Sequence, residues 1–281
     1  MSTIDLVWLV DADPPSDIGG GRGFYPATLR SDPPDEALMR RRFAAIRDVV
    51  LGEAGGEAVL TVHTSPRFRQ TFFREPYADI FRDMAAEGVA LALHPHEDRA
   101  DGGSLYDDPA HLRAVVTQGM QAARDAGLAL AVFRSGGFAF HPCLPKLLAG
   151  HGIGVDLSAA PGLEDTQRHA VWSEAAWRQE WVLDDAVAAV KSVPIGWDGQ
   201  GTSMDRNYLY NEKCDLASLC RIWDALCARP DRPRAVNFLT HGFGLVEERW
   251  RRQAAGFLCH VRAHGGRVVS ARSLSPTALP A

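Results

Sequence analysis

The sequence lacks long apolar runs, paired cysteines and any excess of positive charge. No stretch approaches the ~18 apolar residues that span a membrane, and the run after the N-terminus, Leu6 to Val10, is too short for a secretory signal. The five cysteines form no Cys-x-x-Cys pair, which argues against a disulfide framework or a zinc knuckle. The formal net charge of −5 offers no basic face to nucleic acid. We therefore expect a cytoplasmic protein that binds neither a membrane nor nucleic acid.

Short apolar runs alternate with amphipathic, helix-like segments along the 281 residues. Strand alternating with helix is typical of a parallel sheet, and seven or eight such units favour an α/β fold closed into a (β/α) barrel, with an open doubly wound sheet as the alternative. No linker interrupts the pattern, so we predict a single domain over residues 1–281 with a frayed tail at 273–281. The apolar runs are Leu6–Val10, Ala58–Val62, Val89–Leu93, Leu128–Phe133, Gly152–Val155, Ala189–Val193, Ala235–Leu239 and Arg267–Val269.

Polar residues cluster where these runs end, which is the edge of an α/β sheet or barrel at which ligands bind. One titratable residue after one strand means little, whereas six strands ending in this way indicate a functional site. The residues are Asp11 and Asp13, His63, His94 and His96, Arg134, Asp156 and Ser158, and His241.

The segment Leu91–Asp98 ends a buried strand with two histidines. Residues two apart in a strand face the same side, so His94 and His96 can converge on one metal ion. Pro95 between them favours an extended chain that leaves the sheet at this point. A histidine pair alone also suits a surface or capping role, so a metal site needs further ligands.

The first run ends with Asp11-Ala12-Asp13-Pro14. Two carboxylates so close repel each other unless a cation intervenes. A metal bound by Asp13, with Asp11 left as a base, would remove this repulsion. An Asp-Pro turn also accounts for Asp13, but it leaves Asp11 unexplained.

Two further strand ends carry groups suited to catalysis. Arg134 is always charged and can hold a carboxylate such as Asp11 ionised and oriented, while the glycines that follow it let the backbone approach another group closely. An arginine before glycines is also common in surface turns. His241 ends the seventh run and is a candidate general acid.

In this order, the segments VDADP, LHPHED, FRSGGF, VDLS and LTHG resemble the motifs of the polysaccharide deacetylase (NodB-homology) superfamily, the metal-dependent carbohydrate esterases. The segments extend from Asp11 to His241 and so cover most of the chain. The resemblance implies a distorted (β/α) barrel that removes N-acetyl or O-acetyl groups from carbohydrates.

The resemblance also implies a metal site. Asp13, His94 and His96 would hold a divalent ion, with Zn²⁺ expected and Co²⁺, Ni²⁺ or Mn²⁺ as alternatives. The histidines of the family are usually four residues apart, which makes Asp98 an alternative third ligand; a spacing of two suits a strand and favours His96.

Catalytic roles follow from the same resemblance. Asp11 would be the general base, His241 the acid that protonates the leaving amine, Arg134 the group that orients Asp11, and Asp156 a residue that tunes His241. The chain departs from the family where Ser135 and two glycines replace prolines and an aromatic, and where no tryptophan follows Asp-x-Ser. Both departures fall in the expected acyl pocket. The residues expected to contact substrate are Gly136, Gly137, Phe138, Trp197 and Tyr208.

We therefore predict a metal-dependent amide hydrolase that deacylates a sugar or a sugar-containing small molecule, as a monomer or a homo-oligomer. A haloacid-dehalogenase-type phosphatase, with Asp11 attacking phosphorus, is one alternative, but it gives the histidines no role and lacks an obvious lysine, since the chain has only Lys146, Lys191 and Lys213. A barrel that binds carbohydrate without turnover is the other alternative.

Overall fold

The computed structural model describes residues 3–12, 36–66, 68–99, 103–178, 180–182 and 189–275. The strands are β1 (Ile4–Asp11), β2 (Ala58–His63), β3 (Ala90–His94), β4 (Leu130–Phe133), β5 (Val155–Asp156), β6 (Glu164–Asp165), β7 (Ala170–Val171), β8 (Glu180–Val182), β9 (Ala189–Ser192), β10 (Ala235–His241) and β11 (Gly266–Val268). The helices are α1 (Glu36–Ala54), α2 (Tyr77–Ala86), α3 (Pro109–Asp125), α4 (Leu144–Gly150), α5 (Leu216–Ala228), α6 (Gly242–Leu245) and α7 (Glu248–Ala263).

A single curled sheet of nine strands organises the fold. Its order is β10-β1-β2-β3-β4-β5-β9-β8, with β11 paired to β1, and all pairs are parallel except β8 with β9. The chain after β9 returns to β10, where Asn237 N donates to Pro194 O at 2.7 Å and Gly196 N donates to Asn237 O at 2.9 Å. The sheet is therefore a half-barrel whose open side is spanned by residues 194–196. The predicted α/β fold of distorted-barrel type is confirmed.

Alternate residues of each strand face two different cores, because successive side chains in a strand point to opposite sides. In β1, Leu6, Trp8 and Val10 pack with the helices, whereas Val7 and Leu9 join the cluster inside the half-barrel. All of these side chains are buried. The parity of a residue within its strand therefore decides whether it faces the helices or the interior.

The helices cover the outer face by ordinary amphipathic packing. In α1 the buried residues Met39, Phe43, Ile46 and Val50 recur every three or four positions, which forms one apolar stripe. Helix α3 begins at Pro109, and its N-cap Asp108 accepts hydrogen bonds from the backbone N–H groups of residues 110 and 111 at 2.9 and 3.0 Å. Such caps contribute about 1 kcal/mol each.

The eight apolar runs identified in the sequence each overlap a strand of the structure. Residues 271–274 form a short 3-10 helix, and residues 276–281 of the expected tail lie outside the described part of the chain. Asp13, the expected metal ligand of the first motif, lies outside it as well. Among the helices that the structure describes, none is both long enough and apolar enough to cross a bilayer.

Candidate active site

Five polar side chains stand at the carboxyl ends of neighbouring strands. Asp11, His63, His94 and His241 end β1, β2, β3 and β10, and Arg134 follows β4 directly. Each follows an inward-facing apolar residue of its own strand by two or four positions. Because side chains alternate between the two faces of a strand, all five point toward the interior. All five are buried. The sheet thus concentrates ionisable groups at one place without help from long loops.

A cavity of about 370 Å³ opens beside these strand ends. Its volume lies near the lower end of the range for small-molecule sites, which is about 300–1,000 Å³. The lining residues are Asp11, His96, Arg134, Gly137, Phe138, Leu163, Asp165, Arg168, Met204, Tyr210, Lys213, Leu239 and His241.

Asp11 lies at the centre of the polar cluster. Its Oδ2 is 3.7 Å from Nε of Arg134 and 3.9 Å from Nε2 of both His94 and His241. A buried carboxylate is costly unless cationic or hydrogen-bonding groups surround it, and Arg134 supplies a permanent positive charge. Among the described residues, Oδ1 of Asp11 has no hydrogen-bond partner. This oxygen therefore has its acceptor capacity available to a substrate or a water molecule.

Three buried histidines form a second cluster beside Asp11. One ring nitrogen from each of His63, His94 and His96 lies within 4.8 Å of the others. The ring of His63 stacks on that of His96 at 5.2 Å between centroids, and the His94 and His96 rings meet edge to face at 4.7 Å. Imidazole nitrogens gathered in this way form a donor set that suits zinc and other transition metals.

Hydrogen bonds orient two of these rings. Nδ1 of His94 donates to the carbonyl of Arg134 at 2.8 Å, and Nδ1 of His96 donates to Oδ2 of Asp98 at 2.8 Å. Because carbonyl and carboxylate oxygens only accept, each Nδ1 carries the proton, and the lone pair of the neutral ring lies on Nε2. Asp98, the alternative ligand from the sequence, thus contacts His96 in the manner of the carboxylate partners that support metal-binding histidines.

The two glycines that follow Ser135, Gly136 and Gly137, contact different parts of the site. A Cβ atom on Gly136 would lie 2.6 Å from Cγ and 2.9 Å from Cα of His96, so glycine at this position lets the turn pack against the histidine. Gly137 and Phe138 line the cavity, whereas Gly136 faces His96. The close approach expected of these glycines is therefore made to a candidate ligand.

Phe138 has a left-handed backbone with φ of 61°, which is uncommon for a residue with a bulky side chain. Its carbonyl accepts a hydrogen bond from Nε1 of Trp172 at 2.8 Å, and the Arg134 guanidinium lies 4.1 Å from the centre of its ring. Strained backbone of this kind persists where the surroundings hold it and is common in active sites. The turn thus fixes Phe138 between Arg134 and the cavity.

Two of the three aromatic residues expected to contact substrate, Trp197 and Tyr208, lie in the inner core and do not line the cavity. Trp197 and Tyr208 are 3% and 0% exposed, and their polar atoms bond to the backbone: Trp197 Nε1 to Gly201 O at 2.5 Å and Tyr208 Oη to Pro161 O at 2.6 Å. Tyr210, two residues further on, lines the cavity instead. Tyr210 and Phe138 therefore present aromatic surface to the cavity.

Asp156 faces the opposite side of its strand from the five site residues, since its neighbours Val155 and Leu157 both face the inner core. Its Oδ1 accepts hydrogen bonds from the backbone N and the hydroxyl of Ser158, and the same hydroxyl accepts from Ser135 N at 2.8 Å. Burial raises the pKa of Asp156 to about 6, against the opposing effect of Ser158 and the charge of Arg134. Through the Ser158 hydroxyl, Asp156 is therefore linked by hydrogen bonds to Ser135, in the turn that follows Arg134.

Sequence reasoning missed Glu212, and it placed His63 at a strand end without giving it a role as a metal ligand. Glu212, whose carboxylate hydrogen-bonds to His241, lies in the loop before α5 and gives no periodic signal. His63 was visible as a strand-end histidine, and its parity in β2 would have placed it with His94.

No protein-family model matches the sequence, and no match was found among curated proteins. The structure is similar to that of a Mycobacterium smegmatis protein assigned to the polysaccharide deacetylases, with a TM-score of 0.63 and 15% identity over 97% of this chain and 89% of that chain. It is also similar to a mutant of a CE4 family pseudoenzyme with restored enzymatic activity, with a TM-score of 0.50 and 9% identity over 97% of this chain and 67% of that chain. The predicted resemblance is confirmed at the level of the fold.

Proposed function

We propose that this protein is a metal-dependent hydrolase that removes an acyl group, most naturally N-acetyl, from a sugar or a sugar-containing small molecule. The observation that carries the proposal is the position of Asp11 Oδ2, between Arg134, His94 and His241 and beside the cavity. A carboxylate base with an imidazole acid at 3.9 Å is the pair that acyl hydrolysis needs. The fold similarity to a protein assigned to the polysaccharide deacetylases is in keeping with the same chemistry.

The donor set fits a divalent cation. His94 and His96 have their Nδ1 protons directed to Arg134 O and Asp98, so their Nε2 lone pairs suit a metal, and His63 adds a third imidazole. Asp13 remains a proposed ligand. When bound, such an ion would lower the pKa of a water molecule to about 7 and would polarise an acyl oxygen.

The protein's own groups would move the protons. Asp11 accepts the proton of the attacking water, and the Arg134 guanidinium, 3.7 Å from its Oδ2, orients the carboxylate. His241 then donates a proton from Nε2 to the departing nitrogen or oxygen. Each positioned transfer typically contributes about 10²–10⁴ in rate.

The shape of the cavity supports a small substrate. A volume of about 370 Å³ accommodates one sugar ring with its acyl group, and Tyr210 and Phe138 provide ring surfaces for the apolar face of a sugar. The remaining wall carries Arg168 and Lys213, which can bond to hydroxyl groups.

The test combines elemental analysis of the purified protein with a deacylation screen run with and without chelator. We expect stoichiometric transition metal and chelator-sensitive release of acetate. His63→Ala and His94→Ala should each lose metal, whereas His260→Ala, at a histidine on α7 that pairs with Asp224 outside the site, should not. Chelator-insensitive hydrolysis, phosphate release without deacylation, or glycan binding without turnover would each reject the proposal.

A further inference from the structure

Glu212 contacts His241 on the side opposite Asp11. Its Oε1 accepts the backbone N–H of His241 at 3.0 Å, and its Oε2 lies 3.3 Å from Nδ1 of the same residue. Nε2 of the imidazole points the other way, 3.9 Å from Oδ2 of Asp11. Among the described residues, a carboxylate therefore lies near each nitrogen of the ring, Glu212 at Nδ1 and Asp11 at Nε2.

We propose that Glu212 is a positioning residue for the deacylation described above: it directs Nε2 of His241 toward the cavity and stabilises the protonated imidazole that donates to the leaving group. The inference rests on the proposed function. It assigns to a loop residue the tuning role that the sequence resemblance gave to Asp156.

Packing restricts both partners. The His241 ring lies between Tyr210 and Phe243, with centroid distances of 5.3 Å to each and interplanar angles of 26° and 31°. The Glu212 side chain is only 9% exposed. A Cβ atom on Gly244 would come within 2.5 Å of Glu212 Oε1, so the absence of a side chain there leaves room for the carboxylate. The stacked rings set the plane of the imidazole, and Glu212 decides which nitrogen faces Asp11.

The direction of the hydrogen bond between His241 Nδ1 and Glu212 determines which ring nitrogen transfers the proton. A carboxylate accepts, so Nδ1 of His241 holds a proton in both the neutral and the charged ring. Nε2 is then the atom that gains or releases the catalytic proton. Because His241 is buried, its imidazolium needs nearby negative charge, which Glu212 supplies on one side and Asp11 on the other. Arg134 and Lys213 also line the cavity, and their positive charges make negative charge beside the imidazolium more important.

The experiment compares two substrates that differ in how much they need a proton donor. An amide nitrogen leaves only when it is protonated, whereas 4-nitrophenolate leaves as the anion. Wild type, Glu212→Gln, Gly244→Ala and His241→Ala would be assayed on N-acetylglucosamine, or the amide identified by the screen, and on 4-nitrophenyl acetate. Glu247→Gln, at an exposed glutamate paired with Arg249, is the matched control.

We expect Glu212→Gln to lower the ratio of amide to ester turnover on the order of 10²-fold through kcat, with little change in KM. Gly244→Ala should lower the ratio in the same direction by displacing the carboxylate, and Glu212→Asp should recover part of it. An unchanged ratio in Glu212→Gln, with a reduced ratio in His241→Ala, would overturn the inference.

A second measurement does not depend on turnover. In ¹⁵N-labelled protein, the imidazole signal that disappears in His241→Ala should show a protonated Nδ1 in wild type and should shift in Glu212→Gln. The same signal in both proteins would also overturn the inference. If wild type cleaves neither substrate, the proposed function fails, and the imidazole signal still decides whether Glu212 orients His241.

Discussion

The contact between His96 and Asp98 leads to a quantitative prediction. Nδ1 of His96 and Oδ2 of Asp98 are 2.8 Å apart, and the two side chains are only 7% and 6% exposed. A hydrogen bond to a charged group contributes about 1.5–3 kcal/mol. Since 1.4 kcal/mol corresponds to a factor of ten, Asp98→Ala should weaken metal binding by about 10–100-fold. Loss of a carboxylate partner behind a metal-binding histidine typically has an effect of this size.

The assay is competition for Zn²⁺ between the apoprotein and a chromophoric chelator. His96→Ala gives the effect of losing a ligand, which we expect to exceed that of Asp98→Ala. Asp107→Ala is the matched control, because this half-exposed aspartate pairs with Arg99. An affinity unchanged by Asp98→Ala would refute the orienting role. An effect as large as that of His96→Ala would make Asp98 a direct ligand.

Three further predictions concern the base, the turn and pH. Asp11→Asn should retain metal but lower deacylation at least 10²-fold, measured by metal content and acetate release. Gly136→Ala should weaken zinc binding, because its Cβ would lie 2.6 Å from Cγ of His96. Asp156, whose pKa burial raises from 3.8 to about 6, stabilises the fold when neutral. That stability is complete below pH ~3.8 and is lost as the pH rises through 6, so metal-free wild type should lose up to about 3 kcal/mol relative to Asp156→Asn in urea unfolding.

A specific result would contradict each of these three predictions. Loss of metal in Asp11→Asn would assign that carboxylate to the ion instead of to proton transfer. Gly136→Ala should bind zinc more weakly than Gly150→Ala, where a Cβ meets nothing within 4 Å, and equal affinities would contradict the packing argument. Parallel pH profiles for wild type and Asp156→Asn would show that burial does not shift this carboxyl group.

Strand periodicity explains why much of the fold and part of the site could be predicted. The apolar runs located the strands, and a polar residue at the end of a run falls on a known edge of a parallel sheet. Asp11, His94, Arg134 and His241 were placed at this edge in this way, because their positions depend on their own strands and on pairing with a neighbour.

The sequence by itself therefore determined the α/β architecture and which strand ends carry ionisable groups. Only the tertiary structure decided which nitrogen of His96 faces Asp98, that Glu212 reaches His241 from a loop, and that Trp197 and Tyr208 lie in the core. Strand parity is a local property with a fixed period of two, so it can be read from the chain. The direction of a ring or the course of a loop depends on packing between distant segments, and no local pattern encodes it.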